Sequence, residues 1–378
     1  MNRFSFPTDI QFGNGVRARV GARLQAESVR RPLVVTDKGL ATLPAVLDLQ
    51  NALRNEGLAT EVFAGVWGNP VKSQVLAGVA AFRAHAADGI VGIGGGAALD
   101  VAKAIALMVN HPGDLFDYED DLPGARPFDQ PIPFWVAVPT TAGTGSEVGR
   151  SAVISDDETH VKKIIFSPRL LAKAVFADPE LTVGLPAHIT AATGLDALTH
   201  NIEAFLAKAF HPICDGIALE GLRLGAMHLK QAVKVPTDLE ARAGMMMSSM
   251  MGAIAFQKGL GLVHSCAHAL GTVCNMHHGL ANGVMIDHAL VHNVGVATDK
   301  FVRMAQTVGI KNPGPEAFIG WLETLKADVG IPATLTAAGV APAALQTLVD
   351  VAVADACHPN NPRPCTREDF QHILEAAF

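Results

Sequence analysis

The chain has 378 residues, 49% of them apolar and 17% charged, with 36 Gly and 22 Pro; this is a globular composition of about two domains, and it excludes a disordered chain, a fibre and a single small module. Lys plus Arg number 29 against 36 Asp plus Glu, a net charge of -7 with no basic block, which excludes the electrostatic footprint of a nucleic-acid binder. Five cysteines, an odd number without a CxxC pair, argue against a disulfide framework and for a reducing, cytoplasmic setting.

In chain order, the N-terminus MNRFSFPTDIQFGNG lacks the apolar run of a signal peptide, and the stretch 3–12 is a candidate for pairing across a dimer. PLVVTD (32–37), ATEVF (59–63), GIVGIGGG (89–96), FWVAVPTT (134–141), SAVI (151–154) and AVFADP (174–179) are rich in Val, Ile and Phe without clean polar alternation, the pattern of strands buried on both faces. Segments 43–56 and 72–87 carry apolar residues at three- and four-residue spacing, so the chain runs strand, helix, strand and predicts a mostly parallel sheet. Asp37 closes the first of these strands. A carboxylate there accepts from ribose hydroxyls and repels a 2′-phosphate, or it caps a helix.

The third apolar run ends in Gly92, Gly94, Gly95 and Gly96, and AALDVAK (97–103) opens a helix. A glycine turn at a helix N-terminus lets backbone N–H groups approach a pyrophosphate. Gly92-x-Gly94-x-x-Ala97 satisfies the loose dinucleotide fingerprint, but at least two strands precede it, unlike an ordinary Rossmann unit. PTTAGTGSE (139–147) also follows a strand and offers hydroxyls for phosphate or ribose; two such loops favour a nucleotide. Arg150 follows, either to read a substrate carboxylate or to make a structural ion pair.

After Pro186 the β-branched runs cease. Ala-, Leu- and Met-rich helical stretches follow at 188–209, 213–232, 237–257, 260–274, 298–308, 314–328, 342–355 and 367–377. The organisation is therefore an α/β domain over 1–185 and an all-α domain over 186–378. Residues 259–286 carry no Lys, Arg, Asp or Glu, long enough to span a bilayer. The run also contains His264, His268, His277, His278, Asn275 and Asn282, polar groups costly in lipid, so a buried helix and loop lining a polar site is the better account.

Six of the 15 histidines fall within 264–292. Asp196 and His200 lie four apart, one helical turn, the spacing at which two side chains share one metal ion. His264 and His268 repeat that spacing, and His278 stands before Gly279 on a segment that reads as a loop. One carboxylate and three imidazoles around a divalent ion leave a net charge near +1 and room for a substrate oxygen, suited to Lewis-acid activation.

FGNG (12–15), VTDKGL (35–40), GNP (68–70), GGGAALDVAK (94–103), PTTAGTGSEV (139–148), ADP (177–179), GLDALTHNIEA (194–204), GLGLVHSCAHALG (259–271), HHGLANG (277–283) and NPRPCTREDF (361–370) resemble, in order and separation, the signature stretches of the iron-containing alcohol dehydrogenases, the group that includes lactaldehyde reductase. The resemblance covers essentially the whole chain. It implies a dehydroquinate-synthase-like fold, an N-terminal NAD-binding parallel-sheet domain and a C-terminal helical metal-binding domain with the active site between them. It further implies metal ligands Asp196, His200, His264 and His278, choosing His264 over His268. Cofactor contacts would come from Asp37, Asn69, Gly95, Gly96, Ala97, Thr140, Thr141, Thr144 and Lys162, with the acid at 37 favouring NAD over NADP. His268 resembles the family's proton-relay histidine, and Phe256 and Cys357 would line the pocket. His277 stands where the family commonly has Pro, which implies either a competitor for the ion or a change in the pocket's polarity.

The implied enzyme interconverts a small primary alcohol or diol and its aldehyde, with Fe2+ as the metal and Zn2+ or Mn2+ as alternatives, acting as a homodimer or higher homo-oligomer with no membrane or nucleic-acid partner. A hydroxyacid–oxoacid transhydrogenase or other hydroxyacid-specific member is the alternative, and a dehydroquinate synthase-like lyase a distant one.

Overall fold

A computed structural model of the chain describes residue 6, residues 8–120 and residues 122–378. The chain divides into two units, one built from Phe6–Thr141 and Ser146–Thr182 and the other from Ala142–Gly145 and Val183–Phe378. The first is α/β and the second is helical.

In the first unit, β1 (Asp9–Phe12), α1 (Val20–Ala26), β2 (Pro32–Asp37), α2 (Pro44–Asn55), β3 (Glu61–Val66), α3 (Lys72–His85), β4 (Gly89–Gly94), α4 (Gly96–Met108), β5 (Phe134–Pro139), β6 (Ser151–Ser155), β7 (Lys162–Phe166) and β8 (Ala174–Ala177) follow one another. Six strands form one parallel sheet in the order β1-β8-β5-β4-β2-β3. β4 is buried at every residue, as its continuous apolar run requires when helices cover both faces of a sheet. On one face Val34, Val91, Ile93, Val136, Val138 and Phe176 meet Val20 and Leu24 of α1 and Val46, Leu49 and Leu53 of α2.

Three strands differ from the sequence expectation: β3, expected to be buried on both faces, is the edge strand of the sheet and is fully buried only at Val66. SAVI does not join the sheet: β6 pairs antiparallel with β7 as a separate hairpin, because its partner KKIIF is a half-exposed strand with lysines unsuited to a two-sided interior. The sixth place goes to β1, taken from the stretch 3–12 considered for pairing across a dimer. Residues 3–5 and 7 of that stretch lie outside the described residues, while Asp9–Phe12 pairs with β8. Beyond that strand, buried Asp178 accepts from Gly15 N at 3.0 Å and from Arg17 Nη1 at 2.6 Å, which joins the FGNG and ADP stretches.

The chain moves outward from β2 to β3, then returns to place β4 on the other side of β2. The topological switch therefore falls between β2 and β4, where open parallel sheets bind ligands at their carboxyl ends. This is why the glycine turn follows the fourth strand rather than the first.

The helical unit comprises α5 (Ala187–Leu206), α6 (Pro212–Lys234), α7 (Leu239–Ala255), α8 (Leu262–Cys274), α9 (His278–Leu290), α10 (Thr298–Thr307), α11 (Pro315–Val329), α12 (Leu345–Val353) and α13 (Arg367–Ala377). α5 is buried at each position from Thr190 to Leu206. α9 is buried nearly all round, so its sequence lacks the amphipathic period that announces a surface helix. Among the described residues no helix is long and apolar enough to cross a membrane; the uncharged run 259–286 is divided between α8 and α9.

Beneath the glycine turn, a buried polar cluster ties α4 to the end of the 139–147 loop and to β6. Asp100 accepts from Ser146 Oγ at 2.6 Å, Val153 N at 3.0 Å and Lys103 Nζ at 3.2 Å, and Lys103 also donates to Ser146 Oγ and Ser151 O, both at 2.7 Å. Asp100→Ala strands the Lys103 ammonium in the interior and is expected to destabilise the fold by about 3–5 kcal/mol, seen as a lower urea midpoint, with Asp100→Leu/Lys103→Met recovering part of the loss. Beside the cluster, burial pushes the Glu147 carboxyl up to about 7, opposed by a backbone hydrogen bond and by the Lys103 charge. A folded-state value above the ordinary 4.5 means that folding takes up a proton between these values, so this group's contribution to stability falls as pH rises through that window. Glu147→Gln removes the titration. The melting temperature of the variant relative to the parent should therefore rise from about pH 5 to about pH 8; a constant difference contradicts the assignment.

Candidate active site

Helix periodicity places Asp196 and His200 on one face of α5. His264 comes from α8 and His278 from α9. Within the helical unit one ligand-type atom from each of these four side chains lies within 4.8 Å of all the others. Asp196 Oδ1 is 3.7 Å from His200 Nε2, 3.9 Å from His264 Nε2 and 3.5 Å from His278 Nε2. Three imidazoles thus turn the same ring atom toward one carboxylate oxygen. Burial pushes His200 down to about 4, against the opposing pull of the Asp196 carboxylate, so the ring is neutral at pH 7 and offers a lone pair. This donor set, three nitrogens and one anionic oxygen in a largely buried position, fits a divalent cation.

His278 is not on a loop, as its sequence context suggests, but is the first residue of α9. The reason lies in the next residue: a Cβ on Gly279 would stand 2.5 Å from Ala192 O on α5. Only glycine lets the first turn of α9 approach α5 closely enough to bring His278 to Asp196. His277 caps α9 by accepting from Leu280 N at 3.4 Å and is not a member of the four-residue group.

Three further polar residues brace the group; of these the sequence pointed only to Asn282, as a polar residue of the uncharged run, and not to Glu203 or Asp355. Asn282 Nδ2 donates to Asp196 Oδ1 at 2.7 Å and lies 3.3 Å from both His264 Nε2 and His278 Nε2. Glu203 Oε2 lies 2.6 Å from His264 Nδ1. Asp355 Oδ2 lies 2.7 Å from His268 Nδ1, and its Oδ1 accepts from Ser265 Oγ at 2.7 Å and Cys357 N at 2.9 Å. Burial would push the Asp355 carboxyl up, but these bonds and the His268 charge hold it well below the usual carboxylate range. Spacing was a usable signal for two of them: Glu203 follows His200 by three residues and Asn282 follows His278 by four. Asp355 is distant in sequence and gave no such signal.

His268 is outside the four-residue group, yet its ring stacks on His278 with centroids 5.4 Å apart. His268, Asp355 and Cys357 form a second trio of ligand-type atoms within 4.8 Å, in which the Asp355 carboxylate already bonds the His268 ring, Ser265 Oγ and the Cys357 backbone N–H. Phe256, at 5.1 Å between ring centroids, lies beside His200.

In the α/β unit, Asp37, the glycine turn and Thr140–Thr141 meet at the carboxyl edge of the sheet. Asp37 ends β2 and its Oδ1 accepts from Leu40 N at 2.9 Å, so it caps a turn and not a helix. Gly94 has φ +151, and a Cβ there would stand 2.7 Å from Ala98 Cβ and 3.5 Å from Asp37 Oδ2. Gly95 is the N-cap of α4, followed by Gly96 and Ala97, and a Cβ on Gly95 would reach the Thr141 side chain at 3.3 Å. Thr140 N donates to Gly94 O at 3.0 Å, which locks the two loops together. The result is an open backbone turn at a helix N-terminus, suited to an anionic phosphate.

Asn69 lies in the turn between β3 and α3, next to Pro70, whose carbonyl accepts from Ser155 N at 2.8 Å. Lys162 pairs in register with Ser155 on the β6–β7 hairpin. Thr144 groups with the helical unit, apart from Thr140 and Thr141. Arg150 lies with its guanidinium 5.4 Å from the Phe166 ring centroid, a cation–π contact.

Comparison with known proteins shows the family of the chain. Residues 7–179 match the model for iron-containing alcohol dehydrogenase, and residues 190–378 match that for the C-terminal part of the Fe-containing alcohol dehydrogenase family. A 4-hydroxybutyrate dehydrogenase of Cupriavidus necator is 38% identical, covering 98% of both chains. An NAD-dependent methanol dehydrogenase of Bacillus methanolicus is 35% identical over the full length of both. The crystal structure of a 1,3-propanediol oxidoreductase superposes with a TM-score of 0.95 at 37% identity, again covering both chains completely. With both parts of the family matched in order along one chain, this protein belongs to the iron-containing alcohol dehydrogenases.

Proposed function

We propose that this enzyme interconverts a short primary alcohol or diol and its aldehyde, using NAD and a divalent metal, Fe2+ in the first instance with Zn2+ or Mn2+ as substitutes. The observation that carries the reading is the convergence of Asp196, His200, His264 and His278 on one point. These four would hold the ion. Asp37, Asn69, Gly95, Gly96, Ala97, Thr140, Thr141, Thr144 and Lys162 would hold the cofactor, the glycine turn taking its pyrophosphate and Asp37 its ribose. When bound, the ion supplies Lewis-acid polarisation of the substrate oxygen and NAD supplies the hydride acceptor.

The chain's own residues then do three things. The Asp196 carboxylate and the three imidazoles, which ligate a metal in the neutral form, fix the charge and orientation of the metal-binding face. Asp355 holds His268 at Nδ1, leaving Nε2 as the ring atom through which a proton leaves on alcohol oxidation and returns on aldehyde reduction. Phe256 sets an apolar wall beside His200. Names among the relatives, 4-hydroxybutyrate, methanol and 1,3-propanediol, share a terminal hydroxyl, which supports a primary-alcohol substrate. The first of them also keeps a hydroxyacid-specific enzyme as the second reading.

Purified protein should contain a divalent metal and reduce NAD+ with 1,3-propanediol, methanol or 4-hydroxybutyrate, and a chelator should abolish the activity until metal is restored. Activity with 4-hydroxybutyrate alone would decide for the second reading. His264→Ala should abolish metal retention; full occupancy with unchanged turnover overturns the ligand set. Asp37→Ser should narrow the preference for NAD+ over NADP+ in kcat/KM by about tenfold, a change of about 1.4 kcal/mol, and an unchanged ratio removes Asp37 from the ribose site.

A further inference from the structure

Glu203 is 2% exposed, deep in the helical unit. Its Oε1 accepts from Val263 N at 2.7 Å, and its Oε2 accepts from His264 N at 3.4 Å and lies 2.6 Å from His264 Nδ1. Among the described residues its one ion-pair contact is with His264, with no lysine or arginine in reach. A buried carboxylate is costly unless a positive charge or strong hydrogen bonds compensate it. Here the balancing charge has to come through the imidazole. Imidazoles ligate a metal in the neutral form, so in a loaded site the carboxylates of Asp196 and Glu203 would together contribute a formal charge of -2, which one divalent ion neutralises.

We propose that Glu203 is a positioning residue for the metal centre: through its bond to His264 Nδ1 it fixes the imidazole in the tautomer that turns an unprotonated Nε2 to the ion, and its charge makes the buried assembly neutral with a divalent cation. Such outer carboxylates raise ligand basicity and hold ring orientation, and their loss typically costs 10–100-fold in metal affinity. The proposal rests on the four-residue ligand set proposed above. It adds that the α5 face carries three functional side chains, Asp196, His200 and Glu203, two of them facing the ion and one acting through α8.

The test uses the full chain stripped of metal and titrated with Zn2+ and Co2+ against a competing chelator. Glu203→Gln keeps the size of the side chain and an acceptor for Val263 N but removes the charge. Zn2+ affinity should fall 10–100-fold, the Co2+ absorption bands should shift, and the rise in melting temperature on adding Zn2+ should shrink, while the melting temperature of the metal-free protein stays level or rises. A residue that only caps α8 gives the opposite pattern, a lower metal-free melting temperature with unchanged affinity and Co2+ spectrum, and that result overturns the proposal. Should Glu203→Gln fail to fold, Glu203→Asp keeps the charge but withdraws it from Nδ1 by one methylene. It should weaken Zn2+ binding and shift the Co2+ bands likewise, and parent-like values for both overturn the proposal. Absence of metal binding by the parent, or parent-like binding by His264→Ala, refutes the ligand set itself, an outcome distinct from parent-like binding by the Glu203 variants.

Discussion

Three imidazoles directed at one carboxylate oxygen are the constraint around which the helical unit is arranged. Their side chains come from α5, α8 and α9, and each helix must be held in translation and rotation for the four atoms to meet. The local devices are specific. Glycine at 279 admits α9 against α5, Asn282 steadies the Asp196 carboxylate, and Glu203 holds the start of α8. Each offsets the cost of placing ionisable groups in an interior. Among the described residues no lysine or arginine pairs with Asp196 or Glu203, which is chemically meaningful, since a fixed cation would compete with the ion the donor set fits.

The α/β unit follows a different logic, in which the ligand edge is made of backbone. Returning the chain from β3 to the far side of β2 leaves the carboxyl ends of β2 and β4 adjacent, and the positive-φ turn at Gly94 opens there. Rigidity comes from below, through the Asp100–Lys103–Ser146 cluster, so a flexible glycine sequence sits on a fixed base.

Much of this is legible in the sequence alone. Continuous Val and Ile runs announced the buried strands, and the i, i+4 pair Asp196–His200 announced half of the four-residue cluster, because both rest on short-range periodicity. What escaped notice has a common physical origin. β1 is short and finds its place only through β8, 165 residues away in register. β6 has a strand's composition but takes its partner from the polar KKIIF segment. α9 is enclosed on all sides and so shows no amphipathic stripe, which disguised His278 as a loop residue. The bond between His268 and Asp355 spans 87 positions, a separation that no local pattern encodes.

The unbroken interior of α5 has a consequence for how this protein can vary. Ordinary helices offer every third or fourth position to water, and there substitutions accumulate with little effect. From Thr190 to Leu206 no such outlet exists: the small residues are fixed by volume and the polar ones by their partners. A saturation scan of this helix would return a continuous block of intolerance instead of a periodic one, and evolutionary change in substrate preference must be written into the segments around it.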